Sequence, residues 1–313
     1  MKIVFMGTPD FAVTSLRAIL DAGYQVAGVV TVPDRPTGRG LKMTCSPVKQ
    51  FALDNSLPLL QPEKLRDPLF QSQLRDWQAD LFFVVAFRML PQSVWAMPPM
   101  GTFNLHASLL PRYRGAAPIN WAIINGDTQT GVTTFMLNER IDEGSLLLQQ
   151  STPIAPDDTA GTLHDRLAQM GSRLVVQTIQ GLVAGTLKPR PQPTGDDQPP
   201  APKIFKPDCA VDWRMDGRRI ADLVRGLSPY PAATMQLADT AGTVHSFKLF
   251  EVTFQPAPDT APGVLSTDGK TYAKIGVNGG FISLLRLQIS GKKAMSIAEF
   301  LRGCNITGWK IVY

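Results

Sequence analysis

Cysteine is scarce in this chain, and the few present are poorly placed for chemistry of their own. Cys45, Cys209 and Cys304 are odd in number, far apart and without C-x-x-C spacing, which excludes a disulfide framework and a cysteine-built zinc site. Three free thiols are expected. Long apolar runs are missing too. The opening MKIVFMGTPDF holds one Lys and a short apolar stretch broken by Gly7 and Pro9, too little for a secretory signal or a membrane span. The sequence therefore predicts a cytoplasmic protein with no membrane partner. A dinucleotide fingerprint is weak, because Gly7-Thr8-Pro9-Asp10-Phe11 puts Pro9 where G-x-G-x-x-G needs its second glycine. Histidines number only three, so each can be weighed singly.

What is present centres on residues 103–121, FNLHASLLPRYRGAAPINW. The stretch begins as a strand, and Asn104 and His106, two apart, emerge on one face of an extended backbone. That face offers an amide and an imidazole, both suited to an oxygen. Pro111 stops the strand, Arg112 and Arg114 bracket Tyr113, Gly115 allows a turn, and Pro118 opens a helix. A histidine at a strand end is as often a satisfied structural group as a functional one. The amide partner and the Arg-bearing loop behind it favour function.

With 313 residues the chain has room for two domains and a sizeable core. Apolar runs at Lys2–Met6, Gln25–Val32 and Leu81–Ala86, with a helical pattern from Phe11 to Ala22, predict a parallel sheet covered on both faces. Between the second strand and the next helix, residues 32–42 (VPDRPTGRGLK) are too polar to pack a core, and loops at strand ends of such sheets are where ligands bind. The third strand runs into Phe87-Arg88-Met89-Leu90-Pro91, which could line a slot for a flat amphipathic ligand or simply pack. Residues 131–137 and 145–150 read as strands around a turn that carries Asp142 and Gly144. Asp142 is either turn chemistry or the carboxylate that orients and charges His106; spacing alone leaves both open.

An amphipathic helix is expected over 159–184, with His164 on its surface. Residues 186–202 then hold six prolines in seventeen residues, an extended tether that divides the chain into 1–188, a linker 189–202, and 203–313. Beyond it come a helix at 217–227 and short strands at 244–250, 263–265 and 281–285, the pattern of a small β-barrel. Charge divides similarly. Residues 1–200 carry 17 Lys+Arg and 17 Asp+Glu, and residues 201–313 carry 14 and 9, which together make the chain's 31 and 26. The whole excess of +5 lies in the C-terminal part, which suggests an anionic partner there, a nucleic acid first of all, unless it serves solubility alone.

These residues resemble the methionyl-tRNA formyltransferase family. The match is most specific at Ser108-Leu109-Leu110-Pro111-x-Tyr113-Arg114-Gly115-x-x-Pro118. It extends to Gly7-Thr8-Pro9-Asp10-Phe11, Pro33-Asp34-Arg35-Pro36-x-Gly38-Arg39-Gly40, Ser46-Pro47-Val48-Lys49, Asn104-x-His106, Asp142-x-Gly144, Ala201-Pro202-Lys203 and Arg225-Gly226-Leu227. One departure is Arg140-Ile141-Asp142-Glu143, where family members commonly have Gly-Leu-Asp. The resemblance implies a Rossmann-like α/β formyltransferase domain followed by an OB-like β-barrel that binds tRNA. It implies 10-formyltetrahydrofolate as formyl donor and the amino group of initiator methionyl-tRNA as acceptor, with no tightly bound cofactor, no metal and a monomeric protein. Carried over by motif, Asn104, His106 and Asp142 are the catalytic trio. Phe87, Arg88, Met89 and Leu90, with Ser108, Leu109, Leu110 and Pro111, meet the folate, and Arg35, Arg39 and Lys42 meet the tRNA.

The chemistry agrees with these residue types. Attack of an amine on a formyl carbon builds an oxyanion that needs donors, which an amide and an imidazole supply, and it needs a proton relay. Two other readings stay open: a formyltransferase acting on an amino-sugar nucleotide, or hydrolysing the folate, and a tRNA-binding protein without activity.

Overall fold

The computed structural model of the chain describes residues 1–37, 42–195, 198–258 and 260–313. The expectation for Arg39 falls outside the described residues, and for Lys42 the description extends to the backbone alone. The chain forms two compact units. One takes Met1–Gly115, Thr130–Thr152 and His164–Pro200, the other Ala116–Gln129, Pro153–Leu163 and Ala201–Tyr313.

The first unit starts with β1 (Lys2–Gly7), α1 (Asp10–Asp21) and β2 (Gln25–Val30), followed by a short hairpin of β3 (Arg35–Thr37) and β4 (Lys42–Thr44). Next come α2 (Pro47–Asp54), β5 (Leu59–Leu60), α3 (Pro68–Asp76), β6 (Leu81–Val85), α4 (Gln92–Trp95) and β7 (Thr102–His106). After α5 (Pro118–Ile124), which belongs to the second unit, β8 (Gln129–Met136), β9 (Leu146–Pro153) and the long α6 (Ala160–Val183) follow. Local signals explain the helix starts. Ser46 Oγ accepts from Lys49 N–H at 3.0 Å and Asp67 Oδ1 from Leu69 N–H at 2.9 Å, each just ahead of a proline in the first turn.

The strands lie in the order β5-β2-β1-β6-β7-β8-β9. All pairs from β5 to β7 are parallel, and β8 joins β7 antiparallel with His106 opposite Thr133. This is the parallel sheet that the apolar runs predict, with one antiparallel strand added, and the Rossmann-like domain that the resemblance implies. All five residues of β6 are buried, as covering on both faces requires. Neighbouring strands stack their rings in the interior: Phe83 lies 5.5 Å from Phe5 and 4.7 Å from Phe103. Each such ring stabilises the unit by roughly 1.5–3 kcal/mol through burial.

In the second unit, α7 (Gly217–Leu227) precedes β10 (Ala233–Ala238), β11 (Val244–Pro256), β12 (Leu265–Thr267), β13 (Ala273–Val277), β14 (Gly280–Ile289), β15 (Met295–Ser296), α8 (Ile297–Gly303) and β16 (Lys310–Val312). Its strands run β12-β13-β14-β11-β10-β16, antiparallel throughout, in an OB-like barrel around Trp213, Phe247, Ile275 and Leu284. The strand expected at 263–265 starts at Leu265, because Gly263 turns with φ +78. The Arg225-Gly226-Leu227 motif is a packing device. A Cβ on Gly226 would meet Ile124 Cγ1 at 2.6 Å, and Asn120 Nδ2 donates to the Gly226 carbonyl at 2.7 Å.

Candidate functional site

The sheet of the first unit has a carboxyl edge where several loops leave together. Gly7 at the end of β1 pairs with Val85 at the end of β6, and Val84 pairs with Asn104 in β7. Residues 87–91 and 107–115 therefore exit side by side, which in open α/β sheets is where ligands bind.

On this edge His106 is buried, hydrogen-bonded at one ring nitrogen and faced by a carboxylate at the other. Nε2 lies 2.8 Å from the Tyr113 carbonyl. A carbonyl only accepts, so Nε2 carries the proton and Nδ1 of the neutral ring is a bare acceptor. Nδ1 faces Asp142 Oδ2 at 3.7 Å, beyond hydrogen-bond length but within ion-pair reach. A proton arriving at Nδ1 would find a carboxylate beside it. Asn104, half-buried on the same face of β7, has no side-chain hydrogen bond among the described residues, so both amide N–H groups remain for a ligand. The structure thus brings Asp142 to His106, which sequence spacing left open.

Both loops that hold the imidazole contain a residue in the left-handed region, Tyr113 at φ +61 and Asp142 at φ +55. Such conformations cost on the order of 1–3 kcal/mol each and persist only where surroundings fix them. Here hydrogen bonds do so. Tyr113 N–H donates to the Pro199 carbonyl at 2.7 Å, and Gly115 N–H donates to Asp142 Oδ2 at 2.9 Å. Gln192 Nε2 donates to the carbonyls of Asp142 at 2.7 Å and Gly144 at 2.9 Å, while its Oε1 accepts from Arg114 Nη2 at 2.6 Å. Gly144 is required by space: a Cβ there would collide with the Met136 carbonyl. Below the turn Thr133 is the hub. Its hydroxyl donates to the Ser108 carbonyl at 2.6 Å and accepts from Leu110 N–H and Gln149 Nε2, both at 3.1 Å.

Ser108 is fully buried, and its hydroxyl donates to the Arg112 carbonyl at 2.6 Å. Leu110 and Pro111 are buried as well. Of the four side chains at 108–111, only that of Leu109 is half-buried and open to contact. Across the edge, Phe87 is half-buried, Leu90 is buried and Met89 is 69% exposed. Arg88 donates from Nη1 to the Glu63 carbonyl at 2.9 Å and from Nη2 to that of Pro62 at 2.7 Å. Burial, and then the positive charge of exposed Arg35, holds the Arg88 pKa below its ordinary value. Like charges near one another make this part of the carboxyl edge electropositive. Lys49 Nζ meets Asp34 Oδ2 at 2.6 Å and Gln61 Nε2 meets Asp34 Oδ1 at 2.9 Å, tying the base of the Arg35 loop to α2. That hydrogen bond from Lys49 first, then the one from Gln61, holds the Asp34 carboxyl below the usual range. It joins two motifs, Pro33–Gly40 and Ser46–Lys49, that stand apart in sequence. His164, expected on a surface, pairs with Asp165 at 2.9 Å and packs its ring on Phe11.

The formyl transferase family model matches residues 1–179, and the model of its C-terminal domain matches residues 203–305. The methionyl-tRNA formyltransferase of Bacteroides fragilis is 52% identical over 311 residues, covering 98% of this chain and 96% of its own. The chain belongs to the methionyl-tRNA formyltransferase family. Its relative of that name in Flavobacterium johnsoniae is 47% identical over 313 residues, all of this chain and 99% of its own. Among solved structures, the sugar 3N-formyl transferase WlaRD, crystallised with dTDP and 5-N-formyl-THF, has a TM-score of 0.65 at 20% identity and covers 94% of this chain and 99% of its own. HypX from Aquifex aeolicus in complex with tetrahydrofolic acid has a TM-score of 0.63 at 19% identity, over 100% of this chain and 51% of its own. At these identities the two structures speak for the fold alone. This member of the methionyl-tRNA formyltransferase family has, among the described residues, no group of three or more His, Cys, Asp or Glu placed to hold a metal ion. Nor is any described helix long and apolar enough to cross a membrane.

Sequence reasoning missed Gln192, Thr133 and Gln149. Thr133 could have been found as a polar residue inside the apolar strand opposite His106. Gln192 sits between Pro191 and Pro193, in a stretch read only for its stiffness. No periodicity marks it.

Proposed function

We propose that this chain transfers the formyl group of 10-formyltetrahydrofolate to the amino group of initiator methionyl-tRNA, with Asn104, His106 and Asp142 as its catalytic groups. The observation that carries this assignment is the His106 ring, which donates from Nε2 to the Tyr113 carbonyl at 2.8 Å and turns Nδ1 towards Asp142 at 3.7 Å. The amine nitrogen attacks the formyl carbon, a C–N bond forms, and the carbonyl electron pair moves onto oxygen. Asn104 N–H donates to that oxyanion. The attacking nitrogen loses a proton to His106 Nδ1, and the imidazolium is paired with the Asp142 carboxylate. As the oxyanion collapses, the bond to folate N10 breaks and the proton passes to N10, which restores His106. The balance needs no redox partner and no tightly bound cofactor.

The folate is taken by residues 87–90 and by the backbone of 108–111. The Arg35, Arg39 and Lys42 loop takes the acceptor end of the tRNA. In the second unit, cations lie over aromatic rings, Lys203 on Phe205, Arg214 on Tyr313 and Lys274 on Tyr272, each at 5.5 Å. Phe205 and Tyr313 are 59% and 71% exposed. With the charge excess of residues 201–313, that surface suits a phosphate backbone and unpaired bases. The reading places the enzyme in the cytoplasm as a monomer.

The test is direct. Purified protein with 10-formyltetrahydrofolate and charged initiator tRNA should give N-formylmethionyl-tRNA. Transfer to an amino-sugar nucleotide instead, or release of free formate alone, would overturn the assignment. Arg39→Ala should raise the KM for charged tRNA and leave that for the folate unchanged; a loss confined to the folate would move the loop to the donor pocket.

A further inference from the structure

The two left-handed residues on either side of the His106 ring share an anchor. Tyr113, whose carbonyl holds Nε2, is tied through its own N–H to Pro199, and Asp142, which faces Nδ1, is tied through its carbonyl to Gln192. Both anchors lie in the proline-rich segment that follows α6. A third tie is the pair of backbone bonds between Arg190 and Leu146, at 2.7 and 2.8 Å, just beyond the Asp142 turn.

The Gln192 amide leaves little choice of orientation. Its nitrogen faces two carbonyls, which accept only, and its oxygen faces Nε and Nη2 of Arg114 at 3.2 and 2.6 Å, which donate only. A flipped amide would lose all four contacts. Flanking prolines restrict the backbone on both sides, so the side chain is presented at low entropic cost. Arg114 also reaches Glu143 Oε1 at 3.5 Å, so the residue next to Asp142 is tied to the same centre.

We propose that Gln192 is a positioning residue for formyl transfer, clamping the Asp142 turn so that its carboxylate stays opposite His106 Nδ1. The inference rests on the functional reading above, in which Asp142 acts on His106. Gln192 touches no reacting atom and acts only through Asp142. A proline-rich linker is thereby part of the catalytic geometry and more than a spacer.

Gln192→Glu and Gln192→Ala separate the two sides of the amide. The glutamate keeps an acceptor for Arg114 but sets a carboxylate oxygen against the carbonyls of Asp142 and Gly144. Both variants should lower kcat roughly 10- to 100-fold, as a misplacement of about 1 Å does, with KM for folate and for charged tRNA within about twofold of wild type. Because Gln192 acts through Asp142, adding Gln192→Ala to Asp142→Asn should slow the enzyme no further than Asp142→Asn alone. A Gln192→Glu enzyme with wild-type kcat would overturn the clamp, as would a double variant whose losses multiply in full. Asp142→Asn measured in parallel keeps the failures apart. If it retains wild-type kcat, the functional reading falls; if it loses kcat while the Gln192 variants keep theirs, only the clamp falls.

Discussion

The interior of the first unit's sheet and its carboxyl edge are a few residues apart along the same strands, yet they are held by different physics. Inside, Phe5, Phe83 and Phe103 are fully buried on adjacent strands and fixed by packing. At the edge Tyr113 and Asp142 hold left-handed conformations that packing alone does not explain; a bond from Tyr113 N–H to the Pro199 carbonyl fixes the first, and bonds donated by Gln192 and Gly115 fix the second. The interior sets stability and the edge sets geometry. Substitutions in the two regions should therefore fail in different assays.

The largest effect expected in the interior is that of Phe83→Ala, which leaves a cavity between two rings and should destabilise the protein by about 3–5 kcal/mol, with kcat of the folded fraction little changed. Denaturant unfolding alongside initial rates checks this; a stable but inactive variant would dissolve the contrast. Gly144→Ala should act in the reverse sense. The Met136 carbonyl must move to admit the methyl group, which costs about 1–3 kcal/mol, and kcat should fall more than stability explains.

The smallest effect lies at the Asp34–Lys49 pair. Asp34 has its folded pKa below the ordinary value, so the pair's contribution is full above the usual carboxyl range and is lost as pH falls through the depressed value. Unfolding curves of wild type and Asp34→Asn should differ slightly at neutral pH and converge in acid. A difference that widens in acid would reverse the sign and refute the pairing.

How much of this the sequence carried follows the same divide. Apolar runs revealed β1, β2 and β6, because strands buried on both faces need them. Helices α6 and α7 matched their periodic patterns to within a residue or two. The two-residue β5 and the β3–β4 hairpin carry no such signal; they exist through pairing with neighbours. At the site, the spacing of Asn104 and His106 was legible because a strand fixes it. The approach of Asp142 was not, since it depends on β8 returning antiparallel beside β7. Gln192 was hidden further, because its role appears only once the segment after α6 lies against the Asp142 turn.

His106 and Asp142 are the residues on which formyl transfer depends most directly in the proposed mechanism. Steady-state rates of His106→Ala and Asp142→Ala, measured with folate binding and thermal unfolding on the same preparations, test it. Turnover should drop on the order of 100- to 1000-fold, with folate affinity close to wild type and any loss of unfolding temperature too small to account for the drop. Near wild-type turnover in either variant would contradict the claim that this pair performs the transfer.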